Sequence, residues 1–393
     1  MIRSVVSRVL TLAVAASFVT VPLASRAADP FEINVIISLT GSAAFLGKTQ
    51  QYSLGVVESQ VNRSGGIGGR PIHFNVLDDQ SNPQVGVQLM NGVIGKKAQA
   101  VIGSSIVAVC NAMAPLTAAA PIVQYCLSPG VHPPAGSYLF SALPSTDDAF
   151  VASQVYFKAR GWRKVALITS SDATGQDAER GISAAFPASG GVEIIDREHF
   201  NITDVSVAAQ IAHIKGSGAQ AIIAWSTGTP IATVLRGIQD AGLDNLPVEV
   251  SNGNTTFAQM HQYSSFLPKE ILFAATAPIA PEELPGGPVR RKAYDFINAL
   301  QATGVRPDTG YVVAWDPAVL VVEAYRKLGV NATASQIREY LAGLRGWTGI
   351  LGTYDFRAIP QRGVGVNNTV VMRWDTAKDS FLAVSKLGGE PVR

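Results

Sequence analysis

From residue 33 onward, short runs rich in β-branched residues alternate with longer stretches of helical character. Nothing else in the sequence limits the fold as tightly, because neighbouring parallel strands must be joined by crossovers, and such crossovers carry helices over a sheet. Strands are expected at 33–39, 71–77, 100–102 and 122–125, with helices at 45–62, 83–97 and 108–119 between them. The first helix is expected to stop at Gly65-Gly66, since glycine readily takes the left-handed conformation that ends helices. Residues 128–144 interrupt the rhythm with Pro129, Gly130, Pro133, Pro134 and Gly136, a density that opposes regular structure and marks a crossover between two lobes. The alternation then restarts with a helix capped by Ser145-Thr146-Asp147-Asp148, whose hydroxyls and carboxylates suit the free amides and positive end of a first turn. Further strands are expected at 165–169, 192–195, 219–224, 248–250 and 271–275, and a second irregular return segment at 278–288. Two α/β lobes joined by more than one crossing segment follow.

Residues 1–27 read as an address rather than as structure. Arg3 and Arg8 precede an apolar run over 9–21, and Ser25-Arg26-Ala27 puts small residues at both recognition positions of a signal peptidase, so cleavage after Ala27 and a periplasmic destination are expected. A membrane anchor is the alternative, but the run falls short of the roughly 20 residues that span a bilayer. Charge excludes another class of function: 31 Lys and Arg face 29 Asp and Glu, which is no footprint for nucleic acid. With 47% hydrophobic residues and two cysteines, the chain is neither disordered nor a disulfide-stapled miniature.

Catalytic motifs are missing. The run Ser64-Gly65-Gly66-Ile67-Gly68-Gly69 follows a helix and precedes a strand, the reverse of a dinucleotide fingerprint, so it reads as a helix stop and tight turn. No phosphate loop, HExxH zinc motif or GxSxG elbow occurs. His73, His132, His199, His213 and His261 are isolated from one another. Asp78-Asp79 ends a strand, where adjacent residues face opposite sides, so a hydrogen-bonded loop role is expected in place of a shared proton. No metal or cofactor is expected. Cys110 and Cys126 fall on the same sheet edge and can form a disulfide in an oxidising compartment, contributing about 3 kcal/mol in the chain-entropy model; two reduced buried thiols are the alternative.

What remains are hydroxyls, amides and aromatics at the carboxyl ends of the strands, where open parallel sheets bind ligands. Thr40-Gly41-Ser42 with Phe45 and Leu46, Ser104-Ser105, Tyr125-Cys126, residues 170–174, Trp225-Ser226 and Asn252-Gly253-Asn254 occupy those ends. Hydroxyls and free amides at helix starts suit a small carboxylate.

Here the residues resemble a family. Ser38-Leu39-Thr40-Gly41 with Gly47, residues 61–72 around Gly65-Gly66-Ile67-Gly68-Gly69-Arg70-Pro71, and Leu77-Asp78-Asp79-Gln80-Ser81-Asn82-Pro83 resemble the Leu/Ile/Val-type periplasmic substrate-binding proteins of ABC transporters. The resemblance implies two Rossmann-like lobes joined by a three-segment hinge, with the ligand cleft between them. It places the first lobe at 28–142 plus 277–354 and the second at 143–276 plus 355–393. It also implies a monomer that hands its ligand to an ABC permease in the inner membrane. Ligand-facing positions carried over are Ser104, Ser105, Tyr125, Cys126, Thr174, Trp225 and Ser226, with Phe45 and Leu46 beside them. Asn252-Gly253-Asn254 stands where the family's amino-acid binders usually carry an acid for the α-ammonium. A buried ammonium without such a partner costs several kcal/mol, so the expected ligand is a carboxylate lacking that ammonium, an aromatic or a keto or hydroxy acid. An amino-acid binder, a sensor-type binding module and a hydrolase built on Ser104 or Ser105 are the alternatives. The last lacks a histidine expected on the same edge.

Overall fold

Residues 29–187 and 190–392 are described by a computed structural model, so the export signal expected at 1–27 lies outside the described residues. The first sheet contains β1 (Phe31–Ile37), β2 (Ile72–Asp78), β3 (Ala100–Gly103), β4 (Val123–Cys126) and β5 (Leu139–Ser141), in the order β2-β1-β3-β4-β5. Every pairing in it is parallel. The crossovers are α1 (Ala44–Arg63), α2 (Pro83–Gly95) and α3 (Val107–Ala119). Residues 33–37 are buried without alternation, as befits a strand covered on both faces. At the end of α1, Gly66 takes φ +64° and donates its N–H to the Val61 carbonyl at 2.9 Å. A Cβ there would fall 2.0 Å from the Arg70 carbonyl oxygen, which is why the helix stop requires glycine.

The chain then builds α4 (Thr146–Arg160), β6 (Lys164–Ser170), α5 (Ala173–Ala185), β7 (Glu193–Phe200), α6 (Ala208–Ser217), β8 (Ala221–Trp225), α7 (Ile231–Asp240), β9 (Val248–Val250), α8 (Phe257–Gln262) and β10 (Ile271–Thr276). It returns to the first lobe as α9 (Pro288–Gln301), α10 (Thr309–Leu328) and α11 (Ala334–Gly343), where Phe296, Val312, Val321 and Ile337 share a core with Ile33, Ile102 and Tyr125. A hairpin of β11 (Arg345–Thr348) and β12 (Thr353–Asp355) stays with that core through Tyr354 and Phe356. Buried Asp316 of α10 holds the hairpin by accepting from the Ile350 and Leu351 amides and the Tyr354 hydroxyl. Finally β13 (Thr369–Asp375) and β14 (Ser380–Ala383) close a second sheet of order β14-β13-β10-β9-β8-β6-β7.

Three features differ from expectation. β5 lies inside the proline-rich segment read as irregular, because three residues suffice to pair with β4. The second sheet is mixed, since β13 and β14 run antiparallel beside β10. Phe356 and Val364 still pack in the first core, so we place the third crossing near residue 365 instead of 354. Cys110 and Cys126 form a disulfide, with Cα atoms 6.1 Å apart, tying α3 to the end of β4.

Arg362 joins the third crossing to the first. It is only 5% exposed, and its guanidinium donates to the carbonyls of Leu143 at 2.8 Å, Ala142 at 3.3 Å, Pro129 at 3.2 Å and Val131 at 2.5 Å. Burial lowers its pKa to about 10, against the pull of Asp148 and Asp177, so the cation persists at neutral pH.

Glu249 on β9 is fully buried, receives the Ser153 hydroxyl at 2.6 Å, and has a second oxygen without a partner. Burial pushes its pKa up to about 8, which the Ser153 hydrogen bond only partly opposes. The unfolded chain therefore releases this proton near 4.5 while the folded protein retains it to about 8, and between those values stability falls as pH rises. Glu249→Gln is expected to remove a slope on the order of 1 kcal/mol per pH unit across that window. Urea unfolding of both proteins at pH 5, 6.5 and 8 measures it; parallel pH profiles would refute the protonated carboxyl.

Candidate functional site

The carboxyl edges of the two sheets face each other across a closed, nearly filled cleft lined by residues of both lobes. Contacts from both lobes close it. The Thr229 amide of the second lobe donates to the Ser42 carbonyl of the first at 3.0 Å. The neighbouring Gly228 approaches so near that a Cβ would fall 2.2 Å from the same oxygen. On the other side His132, in the loop after β4, meets Asp177 of α5 at 2.7 Å.

Leu46, Val107, Leu127, Leu143, Trp225 and Val313 form the apolar part of the lining. Ser105, Ser128, Thr146, Thr174, Thr227, Ser251, Asn252 and Thr309 form most of the polar part. Helices α3, α4, α5 and α10 all begin at this lining, through Val107, Thr146, Thr174 and Thr309, so their positive ends converge on it. Among the described residues lining the cleft the one charged side chain is Asp177.

Sequence reasoning missed Asp177. It is 7% exposed, and Arg180 binds it at 2.8 Å while gripping Asp147 with both nitrogens at 2.7 and 2.9 Å. Burial alone would raise the Asp177 pKa, but hydrogen bonds from His132, Arg180 and Thr146 outweigh it and hold the carboxyl below the usual range. The carboxylate is thus ionised and already hydrogen-bonded by His132 and Arg180. A faint signal existed in the sequence: Asp177 and Arg180 stand three apart in the stretch that folds as α5, the spacing of a helical ion pair.

Of the residues singled out from sequence, the cleft brings together Leu46, Ser105, Thr174, Trp225 and Asn252. Trp225 is backed by Phe150, ring centroids 4.4 Å apart. The others lie elsewhere. Ser104 donates its hydroxyl at 2.5 Å to buried Asp79, which also receives Ser38 at 2.6 Å, so it braces the loop. Tyr125 is fully buried against Phe140 in the first core, because its place in the pleat turns the ring away from the edge. Cys126 is committed to the disulfide. The cleft wall after β4 is supplied one step further on, by Leu127 to Gly130. Phe45 is half-buried outside the lining. Ser226 is buried behind it, its carbonyl accepting from Ser251 at 2.8 Å and from Asn254 at 2.7 Å. Asn254 is a brace too, accepting the Gly228 amide at 3.0 Å.

Asp78 and Asp79 serve as loop braces. Asp78 accepts the Leu39 amide at 2.8 Å and the Thr40 hydroxyl at 2.7 Å. No serine at this edge has a histidine partner among the described residues: Ser104 bonds a carboxylate and Ser105 an amide. Among the described residues no cluster of three His, Cys, Asp or Glu could hold a metal, and no helix is long and apolar enough to cross a membrane.

The sequence profile of the family described as "Periplasmic binding protein" matches residues 30–379. The Leu/Ile/Val-binding protein homolog 3 of Brucella melitensis is 23% identical over 234 residues, which are 58% of this chain and 62% of that protein, so the match spans about three fifths of that relative's length. Two solved structures share the fold. The branched-chain amino acid transporter substrate binding protein LivJ of Streptococcus pneumoniae, in complex with isoleucine, has a TM-score of 0.75 at 20% identity, over 93% of this chain and 99% of its own. An ABC transporter solute binding protein of R. palustris, in complex with benzoate, has a TM-score of 0.74 at 17% identity, over 92% of this chain and 97% of its own.

Proposed function

The chain belongs to the periplasmic binding protein family, and from that premise we propose that it is the periplasmic, monomeric capture component of an ABC importer, closing on a carboxylate that lacks an α-ammonium. One observation carries the ligand reading: helix starts and neutral hydroxyls surround the cleft, while its one lining carboxylate, Asp177, is taken up by His132 and Arg180. An anion gains from the former, and an ammonium would have to compete with His132 and Arg180 for the carboxylate. Leu46, Leu127, Val313 and Trp225 offer surface to an apolar or aromatic body. Binding would favour closure because contacts made by both lobes exist only in the closed form.

A second reading, an amino acid, is favoured by the position of Asp177 in the lining, and the solved relatives were found with both kinds of ligand. Calorimetry of the mature protein and of Asp177→Asn with benzoate, 4-methyl-2-oxopentanoate and leucine separates the two. The expected result is binding of a deaminated acid at about −8 kcal/mol, a micromolar constant, retained in Asp177→Asn. Tight leucine binding that falls about 100-fold in Asp177→Asn would establish the amino-acid reading. A role in sensing instead of import is distinguished by uptake of the ligand into cells lacking the gene.

A further inference from the structure

Two polar atoms beside the cleft are left without a role by this reading. Gln50, fully buried on α1, accepts the Ser105 hydroxyl on Oε1 at 2.7 Å, while its Nε2 has no partner. Thr309, the first residue of α10, lines the cleft at 1% exposure, and its Oγ1 has no partner either. The two residues belong to one corner because α1 and α10 lie against each other. Ser53 donates to the Tyr311 carbonyl at 2.8 Å, and a Cβ on Gly310 would fall 2.0 Å from the Thr49 hydroxyl oxygen.

Serine has one hydroxyl proton. Given to Gln50 Oε1, it leaves Ser105 facing the cleft with lone pairs alone, which repel a carboxylate. The two ends of an amide fill nearly the same space. Turning the Gln50 amide over makes one Nε2–H the donor to Ser105 Oγ, puts Oε1 in the unpartnered place, and frees the Ser105 proton for the cleft.

We propose that Gln50 and Thr309 complete a carboxylate-receiving corner. Gln50 Nε2–H donates to Ser105 Oγ, and the hydroxyls of Ser105 and Thr309 donate to the ligand's carboxylate, with the start of α10 adding its positive end. Gln50 is a positioning residue that acts through Ser105 and decides whether this corner takes an acceptor or a donor. The inference rests on the anionic-ligand reading above but not on the absence of an ammonium.

Titration calorimetry tests it with benzoate, 4-methyl-2-oxopentanoate and leucine, and with benzamide and leucinamide as uncharged counterparts at the carboxyl end. Gln50→Leu and Thr309→Val are each expected to weaken whichever carboxylate binds by about tenfold. Gln50→Leu should cost nothing more in a Ser105→Ala background, and ligand-free Gln50→Leu should melt at or above the wild-type temperature, because the buried amide oxygen without a donor is gone. That pairing of lower affinity with undiminished stability is not produced by a merely structural role. Wild-type affinity in both variants, an undiminished Gln50→Leu effect in Ser105→Ala, or preference for the amides overturns the proposal. Wild type that binds leucine alone sinks the deaminated-acid reading yet leaves this test intact, since leucine carries a carboxylate. Wild type that binds none of the three acids overturns both.

Discussion

Arg362→Met should destabilise the protein by about 3 kcal/mol, read as a lower urea midpoint at unchanged m-value. The methionine replaces the buried side chain with one of similar length but no donors. Four carbonyls then lose their guanidinium hydrogen bonds, those of Ala142 and Leu143 on the first crossing and those of Pro129 and Val131 in the loop that lines the cleft. Each buried acceptor left unmade costs on the order of 1 kcal/mol or more. Arg362→Lys should recover little, since a single ammonium cannot spread its donors over a planar fork. Because one side chain holds two crossings and a cleft loop together, the same variant should also bind its ligand more weakly. Stability within 0.5 kcal/mol of wild type would show that the carbonyls find other partners and that the guanidinium is not the hinge tie.

Trp225→Ala is expected to reduce ligand affinity by about 30-fold, equivalent to roughly 2 kcal/mol. Trp225 is 3% exposed and is the bulkiest side chain in the cleft lining, held against Phe150. Truncation also opens space at the edge of the second core, so stability should fall by about 3 kcal/mol, and affinity is to be compared at a temperature where both proteins are folded. Trp225→Phe should recover most of both losses. Unchanged affinity in Trp225→Ala would place the ligand's apolar body elsewhere in the cleft.

The alternation of strands and helices was readable in the sequence because each parallel strand is a short apolar run bounded by turn residues. β1 and α1 fall within two residues of their expected ends. β13 and β14 were not readable: their partners are β10 and each other, and the return of the chain to β10 after a long excursion leaves no local mark. At the site, Ser105, Thr174, Trp225 and Asn252 were reachable because they sit just past strand ends or at helix starts, where position alone directs a residue to the cleft. Ser104 and Tyr125 were misassigned because neighbouring residues at a strand end point in opposite directions, and one residue of register decides which meets Asp79 or the core and which faces the cleft. Thr309 and Gln50 left no mark in the sequence, and Asp177 only a faint one, for a different reason. Asp177 and Thr309 reach the cleft, and Gln50 reaches Ser105 behind it, through helix packing and lobe closure between segments far apart in sequence.

The interleaving of the two lobes has a consequence for synthesis. The first lobe needs α10 and α11, which the ribosome makes only after the whole central part of the second lobe, and the second sheet acquires β13 and β14 last of all. Neither half can be finished while the other is still unmade, so an interrupted chain yields no self-sufficient half. Any product ending before residue 369 lacks two strands of its second sheet, exposes the edge of β10, and offers proteases an open target in place of a finished lobe.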